Sequence, residues 1–250
     1  MRVLAEGLRF PEGPAFAPDG SLWCVELKGG NLCRFDGTLM RIPTGGEPNG
    51  IAIDGAGRVW FCDASGSVRV HHDGTTRTVL EEPGRPNDLA FDAVGNLLFT
   101  CPNNGRSEPL GYVCCRAPDG TVTCIAEGLQ FANGLAFIGE DLVIAETYHQ
   151  RLWRGRWDAV ARRWDGRVWA TGLDGAPGPD GMAVAADGTL WVAVYGSGQV
   201  MAVDASGRIV RRIDVPGRNP TNCAFDPSGR LGLVVTEAEH GQLLSLDVAS

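Results

Sequence analysis

One short phrase recurs six times along this chain, starting at Glu12, Asn49, Asn87, Asn133, Asp180 and Thr221. The copies read EGPAFAPDGSLW, NGIAIDGAGRVW, NDLAFDAVGNLLF, NGLAFIGEDLVIA, DGMAVAADGTLW and TNCAFDPSGRLGL. Each has a polar residue, an apolar run, a Gly/Asp-rich turn and a second apolar run, and the starts lie 37, 38, 46, 47 and 41 residues apart. A period of about 40–50 residues built from short strands is that of propeller blades. An open sandwich or two smaller barrels would not require six copies in register.

The expected fold is therefore all-β: a six-bladed β-propeller with four antiparallel strands per blade, a single domain spanning residues 1–250. Blade one reads as strands Pro14–Ala17, Ser21–Glu26, Asn31–Asp36 and Leu39–Ile42, separated by turns rich in Gly and Asp. Blades three and four carry longer excursions, Pro102 to Gly111 and Asp158 to Gly166. The first residues, MRVLAE, look like an outermost strand with no blade before it, and the final GQLLSLDV looks like a third strand with no fourth after it. Pairing Arg2–Ala5 with Gln242–Val248 would close the ring and leave neither strand as an open edge.

Composition narrows the function classes. The formal charge of −8 argues against nucleic acid and against anionic membranes as partners, and serves solubility equally well. No segment approaches the roughly 20 apolar residues of a membrane span. Glu6, Arg9 and two prolines stand where a secretory signal would be apolar. Eight cysteines (24, 33, 62, 101, 114, 115, 124 and 223) show no metal-type spacing, and several fall inside strand-like runs. Reduced thiols in a cytoplasmic protein are expected.

Equivalent positions of a propeller lie at equal depth around its axis, so the six leading residues should form one ring on the innermost strands. All six carry a side-chain oxygen. Asn-Gly and Asp-Gly also open turns, which accounts for Asn49, Asn133 and Asp180 but poorly for Glu12. Carboxylates and amide oxygens converging on an axis would make a hard-cation site. Without a cation, Glu12 and Asp180 would repel each other. No HExxH, GxSxG or phosphate-loop motif is present, and of the four histidines only His149 falls on a loop at the ring face. Arg85, with the planar fork of a guanidinium, enters blade three at the mouth, beside Asn87 and Asp88. Asp63, Asn103 and Asn104 follow second strands and are placed to reach the same opening. Trp23, Trp60 and Trp191 sit at equivalent repeat positions, as inter-blade packing residues would.

At these residues the sequence resembles the senescence marker protein (regucalcin), gluconolactonase and luciferin-regenerating enzyme family. The motifs that carry the resemblance are Glu12-Gly13-Pro14, Arg85-Pro86-Asn87-Asp88, Asn133-Gly134-Leu135, and Pro179-Asp180-Gly181-Met182 followed by Leu190-Trp191-Val192-Ala193. The resemblance implies a propeller with one divalent metal ion in its channel, held by Glu12, Asn133 and Asp180. It sets Asn87 in or beside the metal shell and Arg85 on the substrate, and leaves Asn49 and Thr221 outside the ligand set. Ca²⁺ is the leading expectation, with Mg²⁺, Mn²⁺, Zn²⁺ and Fe²⁺ as alternatives, since oxygen ligands discriminate weakly among divalent ions.

The resulting expectation is a metal-dependent lactonase acting on a small molecule, a sugar-type or related lactone. Asp180, Asn87 and Arg85 would form its catalytic group, with Asp180 as general base. Arg85, Asn87, Asp88, Asn103 and His149 would contact substrate. A non-catalytic metal- or ligand-binding propeller is the alternative reading, as is a hydrolase of a non-sugar ester or lactone. The latter is kept open because the blade-three loop, Cys101-Pro102-Asn103-Asn104-Gly105-Arg106, lacks the acid that sugar-lactonase members of the family would supply. Nothing in the sequence implies an oligomer.

Overall fold

The fold is that of a computed structural model, which describes residues 1–248. Six antiparallel sheets form a six-bladed β-propeller. The innermost strands are Pro11–Phe16, Pro48–Ile53, Leu89–Phe91, Ala132–Ile138, Gly178–Val184 and Pro220–Phe225. Each touches the next in cyclic order, and the sixth returns to the first. The second strands, which bear the most apolar runs, are Leu22–Glu26, Val59–Asp63, Leu97–Cys101, Asp141–Glu146, Leu190–Tyr195 and Leu233–Glu237.

Those runs are continuous because both faces of every sheet are covered. The buried apolar side chains fall into six clusters, one between each pair of neighbouring blades. Alternation along a strand divides it between two neighbours: Val59 and Phe61 face blade one, whereas Trp60 and Cys62 face blade three. Fully burying each Val, Leu, Ile or Phe contributes about 1.5–3 kcal/mol, so the blade interfaces together form the core. Trp60 meets Phe91 of blade three edge to face at 5.6 Å, and Trp191 packs against blade six. The tryptophans are packing residues, as their repeat positions indicate.

The ring closes as expected. Arg2–Ala5 pairs with Gln242–Leu246, Arg2 opposite Ser245, so the last blade holds both ends of the chain. All eight cysteines are free, and seven are buried in the strands. Two details differ from the sequence reading. The insertion in blade four adds a strand, Arg163–Trp164, that folds back on Arg151–Asp158 and gives this blade five strands. More important for the site, the innermost strand of blade one starts at Pro11, not Pro14, so Glu12 lies within the strand rather than ahead of it.

A candidate metal centre at the mouth of the channel

The inner strands are irregular where the repeat begins. Register shifts fall between Glu12 and Ala15, Pro48 and Ile51, Ala132 and Leu135, Pro179 and Met182, and Pro220 and Asn222. A bulge inserts an extra residue and re-aims the side chain beside it. Here it recurs at the same height in five blades. Directly after the ring residue stand Gly13, Gly50, Gly134 and Gly181 in four of the blades. A Cβ on Gly134 would lie 2.2 Å from the Asp180 carbonyl oxygen, and one on Gly50 would lie 2.2 Å from Asp88 Oδ1. These glycines are there for close approach at the axis.

Five of the six ring residues line one cavity of about 480 Å³: Glu12, Asn49, Asn87, Asn133 and Asp180. Thr221 does not. It is completely buried, its hydroxyl donating to the Pro11 carbonyl oxygen at 2.7 Å and lying 2.8 Å from Thr236 Oγ1. Thr221 is thereby satisfied within the protein, whereas the other five ring residues stay at the cavity wall.

The floor of the cavity is short of donors. Glu12 and Asp180 are buried, 4% and 6% exposed. Burial, and then the negative charges of Asp180 and Asp88, push the Glu12 carboxyl well above the ordinary glutamate range. Burial and then Asp88 do the same to Asp180, against hydrogen bonding from Asn133 and the Gly181 N–H. Asn133 commits its amide Nδ2 to Thr147 Oγ1 at 3.0 Å, and Thr147 in turn donates to the Pro179 carbonyl oxygen at 2.8 Å. This leaves the Asn133 Oδ1 buried without a partner, and Asn49 Oδ1 is in the same condition. Buried acceptors without donors are rare and call for a cause. Among the described residues no group of three or more His, Cys, Asp or Glu converges. The set on this floor is instead two carboxylates with amide oxygens, which is the donor chemistry of a hard divalent cation.

Asp88 occupies a different level. It is buried one residue beyond the ring, where most blades have glycine, and does not line the cavity. Its carboxylate accepts from the Leu89 N–H at 2.9 Å and faces Asn222 across the axis at 3.4 Å. Burial raises its pKa to about 6. The expectation of a substrate contact at Asp88 is therefore corrected to a place beneath the site. His149 also turns away: its Nδ1 donates to Glu146 at 2.7 Å, while its neighbours Thr147 and Tyr148 line the cavity. Asn103 donates to the Leu110 carbonyl oxygen and leaves the lining to Asn104. Arg85 does line the mouth, 3.2 Å from Glu47 in a half-exposed pair.

Asp63 is buried rather than at the mouth, and it belongs to a device the sequence reading missed. Four second strands end in a buried acid: Glu26, Asp63, Glu146 and Glu237. Each accepts a backbone N–H from the segment leading into its own blade's ring residue: Arg9, Glu47, Gln130 and Asn219 respectively. Burial opposes ionisation, but Arg41 and Asn31 for Glu26, and Arg151, the Gln130 N–H and Trp153 for Glu146, hold both carboxyls below the usual range. The ring is thus pinned from behind in four blades. Blades three and five end instead in Cys101 and Tyr195, without this acid. The recurring acid at the end of strands two was the signal available in the sequence.

A family model described as the SMP-30/gluconolactonase/LRE-like region matches residues 10–239. A pentonolactonase, XacC, of Haloferax volcanii is 29% identical over 247 residues, covering 95% of this chain and 84% of that protein. The structure of a gluconolactonase from Xanthomonas campestris superposes with a TM-score of 0.84 at 25% identity, covering 96% of this chain and 86% of the other. A calcium-binding regucalcin from Agrobacterium tumefaciens gives 0.85 at 24% identity, covering 97% and 91%, and shares the fold. With a match running from Phe10 to Glu239 and the motif residues gathered at one channel mouth, the chain belongs to the SMP-30/gluconolactonase/LRE-like family.

Proposed function

We propose that this protein is a divalent-metal-dependent lactone hydrolase. The observation that supports it most is the floor of the cavity, where two buried carboxylates of raised pKa lie with an unpartnered buried amide oxygen. Glu12, Asn133 and Asp180 would hold the ion. When bound, a divalent cation supplies Lewis acidity at a carbonyl oxygen and lowers the pKa of water. Pentonolactonase and gluconolactonase relatives point to the lactone as the bond to be broken.

The chain's own residues then divide the work. Asp180 takes the proton from the attacking water as general base. Arg85 and the Asn87 amide donate to the ring and carbonyl oxygens, orient the lactone and stabilise the negative charge that develops on the carbonyl oxygen. Phe10, Phe131, Tyr148 and Tyr195, which also line the cavity, would exclude bulk water around a bound lactone and strengthen those contacts. The water oxygen bonds to the carbonyl carbon, the ring C–O bond breaks, the leaving alkoxide takes the proton that Asp180 removed from the water, and a hydroxy acid leaves. Its substrate is a small molecule, and its expected setting is the cytoplasm.

The test is a panel of sugar and aliphatic lactones, with acid release followed by a pH indicator, on protein stripped with a chelator and on the same protein resupplied with Ca²⁺, Mg²⁺, Mn²⁺ or Zn²⁺. Turnover that disappears with the metal and returns with it is expected. Equal rates in the stripped and resupplied protein would show the metal to be irrelevant to the reaction.

A further inference from the structure

Three residues at the rim hold a backbone conformation that their side chains disfavour. Phe10, Arg85 and Phe131 have φ of 60°, 57° and 68°. Each stands two residues before a ring residue (Glu12, Asn87 and Asn133), and all three line the cavity. A bulky non-glycine residue in the left-handed region costs about 1–3 kcal/mol, and such strain collects at ligand sites. Glycine would relieve it and is absent from these three places. The strain holds two aromatic rings and one guanidinium over the metal floor.

The rest of the rim continues the same chemistry. Tyr195 lies nearly parallel to Phe10 at 6.3 Å, and Tyr148 meets Phe131 edge to face at 5.4 Å. Lys28 Nζ stands 4.7 Å above the Phe10 ring. Arg106 is brought in by the blade-three loop, its carbonyl oxygen held by Gln130 Nε2 at 2.8 Å. Among the described residues neither Lys28 nor Arg106 makes an ion pair. In a protein of formal charge −8, the cavity lining carries three cations (Lys28, Arg85 and Arg106), and its only carboxylates are Glu12 and Asp180 on the floor. A neutral polyol is recognised through carboxylates that accept from its hydroxyls as much as through donors. This rim offers charged donors, apolar walls and no free carboxylate.

We infer that the physiological substrate is an anionic lactone, its ring lying between the Phe10 and Phe131 walls and its carboxylate or phosphate substituent received by Lys28 and Arg106. The lactone part of this assignment rests on the proposed hydrolase; the recognition of an anionic arm does not depend on turnover. Calorimetric titration of the metal-supplemented protein with inert lactam analogues separates the two. The probes are D-glucono-δ-lactam, its 6-phosphate, and the analogue with a 6-carboxylate. One or both anionic lactams are expected to bind about two- to thirtyfold more tightly than the neutral one, the sum of two partly exposed ion pairs. The preference should shrink severalfold in Lys28→Ala and in Arg106→Ala, and shrink again as salt rises from about 20 to about 500 mM. Whether phosphate or carboxylate binds better identifies the group. Equal affinity for neutral and anionic lactams, binding of none of the three, or a preference untouched by either substitution overturns the inference. The hydrolase proposal is judged apart, by the lactone panel.

Discussion

Replacing Glu12 by Gln should make the metal-free protein more stable and at the same time remove its response to divalent ions. Glu12 is 4% exposed, and its ionised form is opposed first by burial and then by Asp180 and Asp88. The amide has nearly the same shape, can still accept from the Gly13 N–H that now bonds Oε2 at 3.2 Å, and carries no charge. Relieving a buried charge that lacks a partner contributes about 1–3 kcal/mol. At about 2–4 °C per kcal/mol for a chain of this size, the melting temperature of the stripped variant should rise by roughly 3–10 °C. In the wild type a divalent ion at about a hundred times its dissociation constant adds about 2.7 kcal/mol, a shift of similar size. In the variant that shift should all but vanish, so the order of the two proteins reverses when metal is added. The sign with pH follows from the raised carboxyl. A group whose folded pKa lies above its unfolded value of about 4.3 contributes no penalty below that value and its full penalty once the pH passes the folded pKa. The advantage of Gln should therefore be absent near pH 4 and grow toward pH 8. Differential scanning calorimetry across that range, with and without chelator, measures both effects. A stripped variant less stable than the stripped wild type, or a wild type indifferent to Ca²⁺, Mg²⁺, Mn²⁺ and Zn²⁺, would refute the reading of the floor as a cation cage.

Other perturbations separate the roles of neighbouring residues. Gly181→Ala would set a Cβ 1.9 Å from Asn222 Cγ and should cost about 1–3 kcal/mol in urea denaturation, whereas Gly55→Ala, with nothing within 4 Å, should stay within about 0.5 kcal/mol. Arg85→Gly removes a half-exposed side chain from a strained backbone; it should stabilise the fold by about 1 kcal/mol while lowering kcat/KM for the preferred lactone about a hundredfold. Glu26→Gln removes the charge of a buried carboxylate paired with a partly exposed Arg41 and should destabilise the protein by about 1–3 kcal/mol at pH 7. Because the Glu26 carboxyl is held below its ordinary value, that contribution is present above about pH 4.3 and fades as the pH drops through its folded pKa, so wild type and variant should converge toward pH 2.

The fold was readable because a propeller writes its period into the chain, and the ring residues because symmetry gives equal depth to equal repeat positions. What escaped was local. Nothing in the letters at Phe10, Arg85 or Phe131 signals a left-handed backbone, since only the surrounding structure enforces it. Thr221 shares its repeat position with Asn133 yet faces inward, because its hydroxyl can donate to Pro11. Asp88 was misplaced although its position was informative: four blades have glycine there, so a carboxylate in that row had to fill the axis rather than the mouth. The anchoring acids were visible too, as the first residue of ELKGG, DASG, ETYH and EAEH at the ends of second strands, but a buried acid reads as a surface one until its partners are known.

The sixth blade also sets a schedule for biogenesis. Arg2–Ala5 leaves the ribosome about 240 residues ahead of Gln242–Leu246, yet the two are hydrogen-bonded neighbours. At about 5–20 residues per second, the opening strand waits roughly 12–50 s for its mate. During translation the nascent chain can assemble five blades but cannot lock the circle, so a chain halted before Gln242 is a split washer instead of a finished one.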